Sequence, residues 1–482
     1  MRSVLVKGLI AVYAGLVLVP DSLKAENPHI VFILADDMGY GDLSCYNAGS
    51  KIQTPNLDRM AREGMRFTDA HSGGSTCIPS RYALMTGRFA IRRSMNLSKG
   101  SLIEPGRLTL PSMLREQGYR TAMVGKWHLG FDPFVQGPKA KLSEDVLLRG
   151  GPVDCGFDSF FGMHASLDIP PYFYIRDRQV VAAPTADIGH NDNVGEEEGW
   201  NTIQGAFWRK GKIAPDLDME QVTPRFFAEA CNLIAEHGKR VDKQALFLYL
   251  ALPSPHTPWL PLEQYRGKSG AGMYGDFVMQ VDAGVGQVLA ALRDAGMDEN
   301  TLVVFSSDNG PVWYDKDREK FGHDAVGGLR GMKASSYEGG HRMPFIARWP
   351  QQTPASSVSK QAIVFSDMIA TCAELTGAKN IPAGMAEDSV SFYPHLVGSK
   401  EKPSPHPLIV HDHRSIRSGE WKLILAGGKG KGGILGDPGR DKAELCMISK
   451  DPGETQNLID AYPDIARELE AKLKAVIQAN PK

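Results

Sequence analysis

The stretch that decides the fold is His29-Ile-Val-Phe-Ile-Leu-Ala-Asp-Asp-Met-Gly39. Six apolar residues run from Ile30 to Ala35 without a polar break. Such a run suits a strand buried on both faces of a parallel sheet. It ends in the carboxylates Asp36 and Asp37. The C-terminal ends of buried strands are where open α/β sheets bind ligands. Standing alone, the pair also reads as a solvated turn.

The same pattern recurs along the chain. Tyr119–Val124 leads to Gly125-Lys126-Trp127-His128-Leu129-Gly130, and Ala245–Leu252 leads through Pro253-Ser254-Pro255 to His256. Thr301–Phe305 leads to Ser306-Ser307-Asp308-Asn309-Gly310. Helical stretches lie between, among them one opening at Thr54-Pro55, then Phe226–His237 and Phe277–Ala295. Alternating β and α predicts a large, mostly parallel sheet flanked by helices. Four strand ends would then deliver polar residues to one rim. Singly, Lys126, His128, His256 and Asp308 each have an ordinary surface or turn reading.

Cys77-Ile-Pro-Ser-Arg-Tyr-Ala-Leu-Met-Thr-Gly-Arg88 is the most specific stretch. Pro79 suits the first turn of a helix, and Gly87 suits its stop. Cys77 is therefore expected just before a helix N-terminus, where an anion is favoured. Arg81, one turn on, offers a donor fork for an oxyanion.

Composition bounds the rest. The chain has 482 residues, 42% hydrophobic and 23% charged, with a net charge of -2. That is an ordinary globular composition, and it argues against nucleic-acid binding by bulk charge. Met1–Ala25 reads as a secretory signal. Arg2 and Lys7 precede the apolar run Gly8–Val19, which is short for a membrane span. An exported protein, periplasmic or secreted and without a stable membrane anchor, is expected. The six cysteines, Cys45, Cys77, Cys155, Cys231, Cys372 and Cys446, are scattered and form no Cys-x-x-Cys pair.

Three units are expected: the signal peptide (1–25), a catalytic domain (26–398) and a small α+β domain (399–482). Within the second, Arg176–Asp216 reads as an insertion loop with an acidic cluster at Glu196, Glu197 and Glu198. In the third, short antiparallel strands are expected at Leu408–His411, Ser415–Ser418, Trp421–Ala426 and Glu444–Ile448. Gly427–Gly439 reads as a hairpin loop. Ile465, Leu469, Leu473 and Ile477 mark the apolar stripe of a final helix.

Cys77-x-Pro-Ser-Arg, with Leu84, Thr86, Gly87 and Arg88, resembles the signature of the type I sulfatases. The likeness extends through Gly125–Gly130, Leu329-Arg330-Gly331-Met332-Lys333, Tyr337-Glu338-Gly339-Gly340, and Asp451-Pro452-Gly453-Glu454 with Asn457-Leu458. The resemblance implies the alkaline-phosphatase-like fold of that family. It also implies hydrolysis of sulfuric esters, and conversion of Cys77 to Cα-formylglycine by a sulfatase-maturating enzyme. A formylglycine hydrate supplies one hydroxyl to attack sulfur and a second to expel sulfate, which a thiol could not do. The resemblance assigns a metal to Asp36, Asp37, Asp308 and Asn309, with residue 77 as a further ligand. These hard oxygen donors favour Ca²⁺ or Mg²⁺, and an exported protein meets ample Ca²⁺, so calcium is expected.

By the same resemblance, Arg81 and Lys126 stand beside the hydrate. His128 is the base that releases sulfate. His256 and Lys333 face the ester oxygen, one of them as general acid. A looser likeness assigns Ser166 a sulfate contact. A sulfated carbohydrate is the expected substrate, attacked from a chain end. His190, Asn191, Trp200, Trp313 and Tyr314 are expected at the rim, with His411 and His413 closing one side. Two rival readings stand beside this one. A phosphonate monoester or phosphodiester hydrolase shares the fold and the cysteine loop. A non-catalytic glycan-binding protein would lack metal or nucleophile residues, and none is missing.

Overall fold

A computed structural model describes residues 27–133, 135–136, 142–192, 200–201, 203–242, 244–378, 381–399, 406–427 and 441–479. The expected signal peptide, the acidic cluster at 196–198 and most of the glycine-rich loop lie outside the described residues.

Ten strands form one sheet. Its centre is five parallel strands in the order Thr301–Ser307, His29–Ala35, Leu246–Ala251, Arg120–Lys126 and Ser159–Met163. Every residue of the Leu246–Ala251 and Thr301–Ser307 strands is buried, as a continuous apolar run requires. The flanks depart from parallel order. Phe345–Arg348 runs antiparallel to Thr301–Ser307, and Ile175–Arg176 antiparallel to Ser159–Met163. The sheet is therefore mixed at its edges and parallel at its heart.

Helices cover the sheet. Val222–Gly238 and Gly272–Asp294 pack against one another, each starting earlier than its apolar pattern suggests. The cysteine stretch forms the helix Cys77–Thr86, so Cys77 is its first residue rather than the one before it. Gly87 ends the helix at φ 66, and its N–H bonds the Ala83 carbonyl. A left-handed residue at that place favours glycine.

The C-terminal part is a four-stranded antiparallel sheet: Ile409–Val410, Ser415–Ser418, Trp421–Ile424 and Glu444–Met447. The final helix, Pro463–Gln478, packs on it through Leu469 and Leu473. This second core also takes Phe89, Ile91 and Val364 from the larger part of the chain. No helix among the described residues is long and apolar enough to cross a membrane.

Candidate active site

The five parallel strands end on one side, and their C-terminal ends carry the predicted residues. The His29–Ala35 strand delivers Asp36 and Asp37. The Thr301–Ser307 strand delivers Asp308 and Asn309. Lys126 is the last residue of its strand, with His128 just beyond it. His256 follows Leu246–Ala251, and Ser166 follows Ser159–Met163. Backbone bonds tie these ends together. The Asp36 N–H donates to Ser254 (3.0 Å), Asp308 to Ala35 (3.1 Å) and His128 to His164 (3.0 Å).

The turns are tight. Asp37 and His128 hold φ of 63° and 58°, which costs a non-glycine residue about 1 kcal/mol each. Such strain persists where surrounding structure fixes it, and it clusters at functional sites. Gly310 lies so close to the next backbone that a Cβ would sit 1.9 Å from the Gly339 oxygen.

Three cations thread between three carboxylates. The Arg81 Nε donates to Asp308 Oδ2 (2.9 Å), its Nη1 to the Lys126 carbonyl (2.8 Å), and its Nη2 to Asp36 Oδ2 (3.4 Å). The Lys126 ammonium also bonds Asp36. Lys333 Nζ lies 2.7 Å from Asp37 Oδ2. Asn309 Nδ2 donates to Asp37 Oδ1 (2.6 Å). Burial alone would disfavour an ionised Asp36, but Lys126, His256 and Arg81 outweigh it and hold its carboxyl well below the usual range. Burial, with Asp36 alongside, pushes Asp308 up to about 6.

The donor set fits an oxygen-preferring cation. Asp36 Oδ1 and Asn309 Oδ1 are buried and have no hydrogen-bond partner among the described residues. Buried acceptors left without donors are costly, so a bound group is the natural partner. Ligand atoms of Asp36, Cys77 and Asp308 lie within 4.8 Å of one another.

Above them lies a pocket of about 470 Å³, lined by Cys77, His128, Ser166, Asp168, Ile169, Pro170, Arg209, Lys210 and His256. The Cys77 thiol is raised by burial, which outweighs Lys126 and Lys333. Burial, then Lys126 and Arg81, holds His128 well below its ordinary value, so its imidazole is neutral. His256 Nδ1 pairs with the Thr257 carbonyl (2.7 Å), and its Nε2 lies 3.6 Å from Asp37.

Several expected rim residues sit elsewhere. Trp200 and Trp313 are buried among Trp259, Tyr274, Phe321 and His323, where a large ring gains more from apolar contact than from the rim. The Trp313 indole N–H bonds the His323 carbonyl (2.9 Å). His411 is buried against His341 at a ring separation of 3.6 Å, and His413 is exposed. Neither lines the pocket, so neither closes it. His190 is exposed, 3.6 Å from Asp192. Asp168, Arg209 and Lys210 line the pocket without having been expected there. Asp168 lies in the loop that leaves the Ser159–Met163 strand, two residues beyond Ser166, whereas Asp36 and Asp308 directly follow theirs.

Residues 28–378 match the Sulfatase family. An N-acetylgalactosamine-6-O-sulfatase of Bacteroides thetaiotaomicron is 31% identical over 493 residues, covering 94% of each chain. Human arylsulfatase A is 32% identical over 514 residues, covering 98% of this chain and 92% of its own. A solved structure from work on glycosaminoglycan metabolism by Bacteroides thetaiotaomicron superposes with a TM-score of 0.79 at 29% identity. It covers 94% of this chain and 100% of its own. A family match over most of the chain, relatives of this extent and a shared fold lead to one conclusion: the chain belongs to the type I sulfatases and is an enzyme that hydrolyses sulfuric esters.

Proposed function

We propose that this enzyme is an exported carbohydrate sulfatase that works through formylglycine at position 77 and one calcium ion. The observation that carries this is the convergence of five strand ends on Cys77, with buried acceptor oxygens lacking donors. Asp36, Asp37, Asp308 and Asn309, with residue 77, would hold the ion, whose chemistry is to polarise sulfuryl oxygens. Installing the aldehyde requires a sulfatase-maturating enzyme. Export rests on the signal-like Met1–Ala25.

The chain's own residues divide the remaining work. Arg81 is pinned on every side, so it offsets charge and fixes Asp36 and Asp308 rather than gripping substrate. His128 is neutral, lines the pocket and has no partner on Nδ1 among the described residues, as a base requires. His256 is anchored through Nδ1, which leaves Nε2 to deliver a proton to the departing oxygen. Lys333 is bound to Asp37 and does not line the pocket, so His256 is the acid and Lys333 supplies charge.

The carbohydrate assignment draws on the relatives, one named for N-acetylgalactosamine 6-O-sulfate and one from work on glycosaminoglycans. A sulfated galactose or N-acetylhexosamine is the proposed substrate. Attack from a chain end loses its motive, because His411 and His413 do not wall the pocket. The test compares defined sulfated monosaccharides with an aryl sulfate and with a phosphodiester of the same leaving group. Preference for a sugar sulfate supports the reading. Faster hydrolysis of the phosphodiester would favour the phosphodiesterase alternative.

A further inference from the structure

Asp168 sits at the pocket wall with its side chain only 7% exposed. Its Oδ2 is taken by the Arg209 guanidinium, while its Oδ1 is buried without a partner among the described residues. A buried carboxylate oxygen left without a donor is costly, more so than a neutral group. Because Asp168 lines the pocket, a bound group there is the natural donor to it. The pair is also held rigidly. The Tyr172 hydroxyl lies 2.6 Å from the Arg209 carbonyl and 3.2 Å from the Asp168 carbonyl. The Arg209 N–H and its Nη1 both reach the Asp168 carbonyl at 3.3 Å. The Phe207 ring lies 5.1 Å from the guanidinium, whose side chain remains 49% exposed.

We infer that Asp168 and Arg209 form a specificity site for the sugar ring that carries the sulfate. Asp168 Oδ1 accepts from one ring hydroxyl, and the exposed edge of Arg209 donates to the oxygen beside it. A fixed acceptor next to a fixed donor fork reads two vicinal oxygens on a pyranose. An aryl sulfate offers neither. Sites built to hydrogen-bond a substrate hydroxyl discriminate strongly, because their polar groups are otherwise left unpaired. Preorganisation by Tyr172 and Phe207 adds to this by reducing the ordering cost on binding. The inference rests on the carbohydrate-sulfatase reading and names the residues that read the sugar.

The test measures kcat/KM of wild type, Asp168→Asn and Arg209→Ala on the sulfated monosaccharide that wild type handles best. The same variants are measured on 4-nitrophenyl sulfate. Loss of a hydrogen bond to a charged partner predicts a roughly 10- to 100-fold fall on the sugar and a much smaller one on the aryl ester. Equal falls on both substrates, tracking a lower Tm, would show a merely structural tie and overturn the inference. An unchanged sugar rate would overturn it too. If wild type releases sulfate from neither substrate, the sulfatase reading has failed. The inference is then decided by calorimetry of sugar-sulfate binding to Cys77→Ala, with and without Asp168→Asn. Weaker binding with the second change sustains it, and equal binding ends it.

Discussion

Two of the buried polar clusters among the described residues are built to opposite ends. One is the rim around Cys77. The other lies where the small sheet meets the large one, around His341. There Lys422 reaches Glu338 and Glu454, each at 2.9 Å, and Arg417 grips Asp69 at 2.6 and 2.7 Å. His71 lies 2.8 Å from Asp69 and 3.0 Å from His341, and Arg342 lies 3.2 Å from Glu338. Three acids face three bases, and the histidines stay neutral among them. Burial holds His71 below its ordinary value, and burial, then a neighbouring histidine and Lys422, holds His341 and His411 well below theirs. At the rim, three cations also match three acids, yet Asp36 Oδ1 and Asn309 Oδ1 have no donor among the described residues. Adding a divalent ion there leaves a positive surplus suited to an anionic ester. Balanced charge alone therefore does not mark a site. What sets the rim apart is that Cys77, His128 and His256 face a pocket, with the ligand atoms of Asp36 and Asp308 close beside Cys77.

The rim differs most from the junction at Cys77. Cys77→Ala should lower turnover by at least about 10⁴-fold, because the covalent route is lost. Thermal unfolding should hardly move. Substantial residual activity would remove residue 77 from the chemistry.

Asp36→Ala and Asp308→Asn come next, each costing on the order of 10³-fold in kcat/KM through loss of a ligand. Chelation of wild type should reproduce the loss, and calcium should restore it. Full activity in metal-free protein would make the rim a purely protonic site.

At the junction the expected loss is in stability. Lys422→Met leaves Glu338 and Glu454 without their shared cation, and should cost about 3 kcal/mol in denaturant unfolding. kcat/KM of the folded protein should change little. A neutral result would mean that the glutamates find other partners.

The smallest effect concerns pH. An unfolded imidazole takes up its proton near pH 6.5, while the three buried ones resist it. The unfolded state then binds more protons as pH falls, so stability drops below about pH 6.5 and is unaffected above it. The face of the His411 ring stacks on His341. His411→Phe should keep the stack and reduce the acid loss by about 1 kcal/mol per pH unit. An unchanged pH profile would exclude His411 from the effect.

Much of this was legible in the chain because buried parallel strands leave a plain signal. Ile30–Ala35 is short, β-rich and unbroken, as a doubly covered strand is, which puts Asp36 at its end. Ser159–Met163 is short and interrupted by Gly162, so the rule that found Asp36 was not extended to Asp168. Arg209 arrives from the far end of an insertion without periodicity, and only tertiary contact pairs it with Asp168. Trp313 follows a strand end just as a rim residue would, and nothing local distinguishes a ring facing solvent from one packed beneath. His411 failed for a related reason. Its partners, His71 and His341, lie in distant stretches, so their common burial appears only once the two sheets meet.

Residue 77 is then the reactive centre on which the strand ends converge. The mass of the peptide containing residue 77, from protein made in a host with a sulfatase-maturating enzyme, decides whether it is. An aldehyde is expected in place of the thiol, with turnover rising in proportion to the converted fraction. Fully active protein carrying an unmodified thiol would contradict it.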